Sequence, residues 1–320
     1  MIEQNKSTVW ILGSGGLIGT SFSNRIAKWP VEQVRLRHSS VNAPSIHETA
    51  VGFDVYLDVD ARSHLDWISR ENRLPNPSEI VLLGWGNVRN PHHASHTSIS
   101  PLSVVQMAEV SILLGAKRVI FAGSIDEYSG AAGRRHEDRE LPDPMNSYVA
   151  GKIRAHEALE RLCRAHNVQN VHCRISSVYG PTKVNVGGSL VQTLWEAHVQ
   201  GVPAVLGDCE TWRDHVYVED VSEDIRLLLF SDLVGTFNVG FGTPTQVRQL
   251  AESLWVAFGE TLETLRFGGD TDLAVIKDSP DWYLDVGRMN ALAGSRHRYD
   301  LGAGSHETSR ILKGIDIQIR

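Results

Sequence analysis

The sequence predicts an α/β protein, a doubly wound parallel sheet with a smaller C-terminal domain. Three observations predict it. An apolar run, Thr8-Val9-Trp10-Ile11-Leu12, leads directly into a glycine-rich turn, Gly13-Ser14-Gly15-Gly16-Leu17-Ile18-Gly19. Strand-like runs then alternate with helix-period segments along the first half of the chain. Between about 179 and 218, and again after 243, that rhythm breaks into glycines, aromatics and irregular charge.

The elements follow in order. Val9 and Ile11 are β-branched, so the first run reads as a buried strand. Ser21 to Trp29 reads as a helix with Phe22, Ile26 and Trp29 on one face, ended by Pro30. Val34-Arg35-Leu36-Arg37 is a second strand, which completes a βαβ unit. Phe53 to Leu57 is a further apolar run, and Ile80 to Leu83 and Arg118 to Ala122 read as strands, with a helix from Leu102 to Leu114 between the last two. Ser147 to His166 is a long amphipathic helix, Val171 to Ile175 a strand, and Gly235 to Gly240 the last strand. Gly130 to Pro144, rich in Gly, Pro, Arg and Asp, reads as an exposed loop able to order over a ligand. The expected division is a dinucleotide-binding domain of residues 1–178, with 219–242 returning to it, and a substrate-binding domain of 179–218 and 243–320.

Bulk composition narrows the function. The chain has 320 residues, 42% of them hydrophobic and 22% charged, as in an ordinary soluble protein. A net charge of −7 argues against general nucleic-acid binding, which needs a basic face. Cys163, Cys173 and Cys209 form no CxxC, so neither a disulfide framework nor a zinc pattern is expected. No apolar run reaches membrane-spanning length, and the polar start from Met1 to Lys6 does not read as a secretory signal, so a cytoplasmic protein is expected.

The glycine turn has the context of a Rossmann-type dinucleotide site, with a strand before it and a helix beginning inside it. Gly13 permits the tight turn, Gly16 lets the backbone approach a pyrophosphate, and Gly19 lets helix pack on strand. The helix N-terminus supplies N–H donors for phosphate. Arg37 stands eighteen residues past Gly19, at the end of the second strand. NAD-binding folds usually carry an acid there for the ribose 2′-OH; an arginine pairs instead with a 2′-phosphate. With Arg35 and His38 beside it, Arg37 favours NADP(H), NAD being the alternative. Asp58 and Val59 are placed to meet the adenine, and Leu83, Gly84 and Trp85 follow a strand end into the cofactor pocket.

Tyr148 precedes Lys152 by four residues, so the two share a helix face. A free tyrosine, with a pKa near 10, is too weakly acidic to serve as a base at neutrality. A neighbouring ammonium and a positive nicotinamide ring favour phenolate and lower that pKa. In the reducing direction the phenol donates its proton as a carbonyl becomes an alcohol. Ser124, just past a strand, would hold the same oxygen, and Lys152 the nicotinamide ribose.

With these parts in place the chain resembles the extended short-chain dehydrogenase/reductases that modify nucleotide sugars, of the NAD-dependent epimerase/dehydratase type. Glu137-Asp138 through Leu141-Pro142 to Asn146-Ser147-Tyr148 resembles the acidic approach to the catalytic tyrosine. Arg174-Ile175-Ser176-Ser177-Val178-Tyr179-Gly180-Pro181 resembles RxxNxYGP, Arg213 to Val221 resembles RDFVYVDDV, and Phe237 to Gly242 resembles FNVGxG. The resemblance implies catalytic Ser124, Tyr148 and Lys152, with Gly13, Gly16, Gly19, Asp58 and Lys152 serving the cofactor. It implies a substrate surface that includes Trp85, Ser124, Asp126, Tyr148, Ser177 and Arg213, with Arg213 gripping a diphosphate. A salt bridge from Arg213 to an acid such as Asp220 is the other reading. A homodimer is implied through the helices Leu102–Leu114 and Ser147–His166.

Departures from the family pattern matter. Ser177 replaces an asparagine, and Gly84-Trp85-Gly86 replaces HLAA. The dehydratase triplet Thr-Asp-Glu is offset here as Ser124-Ile125-Asp126-Glu127, which counts against dehydration. His92, His93 and His96 read as loop or cap residues, and no metal is expected. The expected activity is NADPH-dependent reduction of a nucleotide-linked 4-keto-6-deoxy sugar. The alternatives are a 4-epimerase or 4,6-dehydratase with resident NAD, or a non-catalytic NADP-sensing protein.

Overall fold

Buried on both faces, β1 (Ser7–Leu12) cannot lie at a sheet edge. The chain continues through α1 (Leu17–Ile26), β2 (Val31–His38), β3 (Ser45–Thr49), β4 (Gly52–Leu57), α2 (Arg62–Ile68), β5 (Glu79–Leu82), α3 (Ile99–Leu113) and β6 (Arg118–Ala122). Then come β7 (Gly133–Arg135), α4 (Ser147–Ala165), β8 (Gln169–Ile175), β9 (Ser177–Tyr179), α5 (Leu190–Gln200), β10 (Ala204–Val205), β11 (Trp212–Tyr217), α6 (Val218–Leu229) and β12 (Gly235–Val239). The last elements are β13 (Pro244–Gln246), α7 (Val247–Phe258), β14 (Leu265–Arg266), β15 (Trp282–Leu284), α8 (Gly287–Ala293) and α9 (Leu301–Ile319). The structure, a computed structural model, describes residues 7–38, 43–58, 62–88, 90–128, 132–138, 144–181, 189–269, 281–293 and 299–319.

One eight-stranded sheet dominates, in the order β12-β8-β6-β5-β1-β2-β4-β3. Strands β4, β2, β1, β5, β6 and β8 pair in parallel, and β3 runs antiparallel at the edge. This is the doubly wound α/β fold that the alternating pattern predicts. The chain winds outward from β1 to β2 and β4, then returns to β5 and winds the other way. The turns after β1 and β5 therefore meet at the switch point, where such sheets bind ligands. One core cluster includes Trp10, Leu36, Val55, Leu82, Met107, Phe121 and Leu159.

Element bounds differ from the sequence reading in a few places. Helix α1 starts at Leu17 rather than Ser21, because Gly16 already serves as its N-cap, and it ends at Ile26 rather than Trp29. Strand β3, Ser45-Ile46-His47-Glu48-Thr49, was not predicted; an edge strand this polar carries no apolar run to reveal it. The predicted loop from Gly130 to Pro144 contains β7, paired with β15, and buries Arg135 over the Trp282 ring at 5.1 Å. Residues 139–143, with Leu141 and Pro142, lie outside the described residues.

Two units divide the chain. The first takes Met1–Ser129, Glu140–Arg174 and Ser222–Phe237; the second takes Gly130–Arg139, Ile175–Val221 and Asn238–Arg320. In the second, β11 pairs parallel to β9 and antiparallel to β13. The buried Asp214 carboxylate organises this region by accepting N–H bonds from Phe241 at 2.8 Å, Gly242 at 3.0 Å and Leu284 at 3.0 Å. Among the described residues no helix is long and apolar enough to cross a membrane.

Candidate active site

The glycine turn is tied to both neighbouring strands. Gly13 has φ +83°, and a Cβ there would overlap the Gly84 backbone after β5. A Cβ on Gly19 would overlap the Gly13 carbonyl, so helix α1 can start only because both positions are glycine. Gly15 and Gly16 differ: the nearest atoms to an added Cβ lie at 3.6 and 3.4 Å. The chain's own packing does not demand glycine there. Bare backbone at those two positions suits the close approach of a pyrophosphate, and no side chain among the described residues caps α1. Ser14 is buried, its hydroxyl 3.4 Å from the Leu36 carbonyl, while Leu17 and Ile18 open the helix. These residues fit a dinucleotide.

Arg37 lies beside this turn, its Nη1 3.6 Å from where a Cβ on Gly15 would stand. Sequence reasoning missed its partner. Asp54 on β4 takes Arg37 Nε at 3.2 Å and Arg35 Nε at 2.8 Å through the same oxygen. One carboxylate serving two guanidiniums leaves a net positive charge near the turn. His38 lies 3.9 Å from the Asp58 carboxylate, and the Asp58 amide donates to His64 Nδ1 at 3.0 Å. Val59 lies outside the described residues. Leu83 donates its amide to the Leu12 carbonyl at 2.9 Å, which places Gly84 and Trp85 next to the glycine turn.

Ser124, Tyr148 and Lys152, the candidates for proton transfer, all lie in the first unit. Asn146 caps α4 by accepting the Val149 amide at 3.0 Å, and Tyr148 donates its own amide to the Pro91 carbonyl at 2.8 Å. Ser124 caps the short 3₁₀ turn after β6: its hydroxyl accepts the Asp126 amide at 3.1 Å and lies 3.3 Å from the Asp126 carboxylate. The half-buried Tyr148 phenol lies near the same hydroxyl. Burial pushes the Tyr148 phenol above its ordinary range, Asp126 and Glu127 add to the rise, and the Ser124 hydroxyl opposes it. Within the protein alone Tyr148 is held as a phenol, a proton donor. Lys152, one turn along, donates to the Ala122 carbonyl at 2.7 Å. Burial lowers its pKa to about 7, against the pull of the Glu127 charge.

Beneath Ser124 lies a buried ionic cluster. Glu127 Oε1 accepts the Ser124 amide at 2.8 Å, and its carboxylate meets His172 Nε2 at 3.1 Å and Arg174 Nε at 3.5 Å. Glu127 and His172 are both 0% exposed. Burial alone would raise the Glu127 carboxyl; His172, Arg174 and the Ser124 amide outweigh it and hold the pKa at about 2. His172 is stacked between Phe121 and His156, with ring centroids at 5.7 and 3.8 Å. Ser-x-x-Glu is a capping-box pattern, so Glu127 had a local signal, whereas His172 and Arg174 on β8 had none.

The remaining candidates fall elsewhere. Ser177 on β9 and Arg213 on β11 belong to the second unit, where Arg213 is buried and its Nη1 lies 3.2 Å from the Trp212 carbonyl. His93 caps a 3₁₀ turn by accepting the Ser95 amide at 3.2 Å. His96 bonds Trp85 and the Asn90 carbonyl.

Comparisons with known proteins agree with this architecture. Residues 9–240 match the NAD dependent epimerase/dehydratase family. A UDP-glucose 4-epimerase of Mycolicibacterium smegmatis is 26% identical over 166 residues, a match that takes in 51% of this chain and 53% of that relative, about half of each. Among solved structures, the Thermus thermophilus UDP-glucose 4-epimerase complex with NAD superposes with a TM-score of 0.78 at 22% identity, covering 96% of this chain and 99% of that one. The Bacillus anthracis dTDP-glucose 4,6-dehydratase in complex with NAD gives 0.74 at 16% identity, covering 97% and 98%.

Proposed function

Because the chain belongs to the NAD dependent epimerase/dehydratase family, we propose that it acts on a nucleotide-diphosphate sugar by reversible hydride exchange, with 4-epimerisation through a transient keto-sugar as the first reading. The observation that carries it is the Ser124, Tyr148 and Lys152 set, brought together in the unit that also carries the glycine turn. A nicotinamide dinucleotide, when bound, supplies the hydride acceptor and donor.

Every other step falls to the chain's own residues. Tyr148 as phenolate takes the proton of the sugar hydroxyl, and the phenol so formed returns it, so the side chain is unchanged over a cycle. Ser124 holds the same oxygen. Lys152 biases the phenol toward ionisation, and with a pKa of about 7 it does so as a partly protonated group at neutrality. The first unit binds the dinucleotide through Gly13–Gly19, Gly84 and Arg37. The second carries the substrate-side residues Ser177 and Arg213. The exposed Ile99, Leu102 and Leu113 on α3 supply apolar surface for a homodimer in which α3 and α4 pair.

Arg37 supports a second reading, an NADPH-dependent keto-sugar reductase, because its guanidinium stands by the turn where a 2′-phosphate would be met. The engagement of Glu127 by His172 and Arg174 weighs against 4,6-dehydration, since that carboxylate is committed to structure. The gathering of Ser124, Tyr148 and Lys152 weighs against a non-catalytic sensor, which needs none of the three.

Incubation with UDP-glucose or UDP-galactose, followed by chromatography of the sugars, tests the first reading. Interconversion without added cofactor supports epimerisation. Consumption of NADPH with a 4-keto-6-deoxy sugar nucleotide, and no interconversion, would replace it with the second.

A further inference from the structure

Lys152 occupies an unusual position for a charged side chain. It is 4% exposed, and an ammonium brings three N–H donors. The Ala122 carbonyl accepts one of them. Around the same nitrogen stand three aromatic rings, with centroids at 4.3 Å for Trp85, 5.0 Å for Phe121 and 5.8 Å for Tyr148. The π-face of an aromatic ring carries negative potential, strongest for indole, and attracts a cation most where water is absent.

We propose that Trp85, pinned by His96, completes an aromatic cage that holds the Lys152 ammonium beside Tyr148, and so acts as a positioning residue for proton transfer. Two observations show that the cage is built. First, Trp85 cannot swing freely: its Nε1 donates to His96 Nδ1 at 3.0 Å. An indole N–H only donates, so Nδ1 is the acceptor. The proton of His96 then sits on Nε2, which faces the Asn90 carbonyl at 2.8 Å. Second, α4 carries glycine at 151, next to Lys152. A Cβ there would overlap the His96 carbonyl and come within 3.1 Å of Trp85 Cζ2. Glycine at that position lets the helix close on the Trp85–His96 pair. The titratable groups facing Lys152 are Tyr148 on its own helix, Glu127 from the turn after β6, and His96 behind Trp85.

Trp85 therefore offsets part of the burial that drives Lys152 toward the neutral amine. Without the indole face, less ammonium remains at neutral pH and the Tyr148 phenol becomes harder to ionise. That consequence rests on the proposed role of Tyr148; the cage itself does not.

The test is a pH titration of the full-length protein labelled with ¹³C-lysine, followed by NMR. The Lys152 resonance is identified by its loss in Lys152→Met. Wild type should titrate near 7. Trp85→Phe, which keeps a ring face, should stay close to it. Trp85→Leu and the bulkier Trp85→Met should each fall by about half a pH unit or more. In turnover the Leu variant should lose kcat at neutral pH with little change in KM, and Phe should restore most of it. A wild-type midpoint in both Leu and Met variants overturns the proposal, and the Met variant decides if the Leu variant does not fold. A lowered midpoint in a protein that turns over no nucleotide sugar keeps the cage and removes the functional reading.

Discussion

Glu127 and Lys152 are both charged, both buried and both in the first unit, yet the protein treats them in opposite ways. Glu127 receives the Ser124 amide, His172 and Arg174, and these hold it ionised at a pKa of about 2 although burial opposes it. Lys152 receives one carbonyl and three ring faces, and burial wins, taking its pKa to about 7. A charge with several hydrogen-bonded partners is locked and serves as structure. A charge with few partners is poised, so that small changes nearby move it across neutral pH. Tyr148 lies near both: Glu127 adds to the rise of its pKa, and Lys152 Nζ stands 5.8 Å from its ring centroid.

The comparison can be broken most forcefully at Tyr148. Tyr148→Phe should cut turnover by about 10²–10⁴-fold while thermal unfolding stays unchanged; a variant that retains wild-type turnover ends the proton-transfer assignment. Next comes the locked charge. Glu127→Ala leaves Arg174 and the Ser124 amide without their acceptor, and should cost about 3–5 kcal/mol in denaturant unfolding. Its pH signature has a definite sign. The folded pKa lies below the ordinary carboxylate value, so the stabilisation is complete above that value and is lost as pH falls toward about 2. Wild type should therefore lose its advantage over Glu127→Ala in acid.

Arg37 extends the comparison to a half-exposed charge that shares its carboxylate. Arg37→Ser should weaken binding of 2′,5′-ADP about tenfold or more and leave 5′-AMP nearly unaffected, as read by calorimetry; equal losses for both would remove the 2′-phosphate assignment. The smallest effect belongs to the poised charge. Lys152→Met should stabilise the fold by on the order of 1 kcal/mol at neutral pH while lowering activity. Lys152 has a folded pKa below its unfolded one, so its charging cost is full below about 7 and fades as pH rises to the ordinary lysine value. The gain in melting temperature should fade over the same range.

Much of the site could be read along the chain. Gly13 to Gly19 carries its meaning locally, because a strand before it and a helix after it are visible in the same stretch. Tyr148 and Lys152 are one helical turn apart, so their shared face follows from helix geometry. Ser124 was legible as a residue just past a strand. The role of Glu127 was half legible: its spacing from Ser124 announces a capping box, but not its partners His172 and Arg174 on β8. Asp54 was not legible at all. It meets Arg35 across a strand pair whose register is set only when β2 and β4 align. Trp85 was legible as a departure, with Gly84 and Gly86 around it, but not as a ring over Lys152.

The sequence by itself determined the doubly wound α/β fold, the glycine turn between β1 and α1, and the helix face that Tyr148 shares with Lys152. These rest on periodicity and short spacing, which a chain expresses locally. Only the tertiary structure decided which charges are locked and which are poised. That depends on pairs such as Arg37 with Asp54, Glu127 with His172, and Lys152 with Trp85. Their members lie on different elements and become neighbours only when the sheet and its helices assemble. Burial and partner number then set each charge, and neither quantity is written in any single stretch of chain.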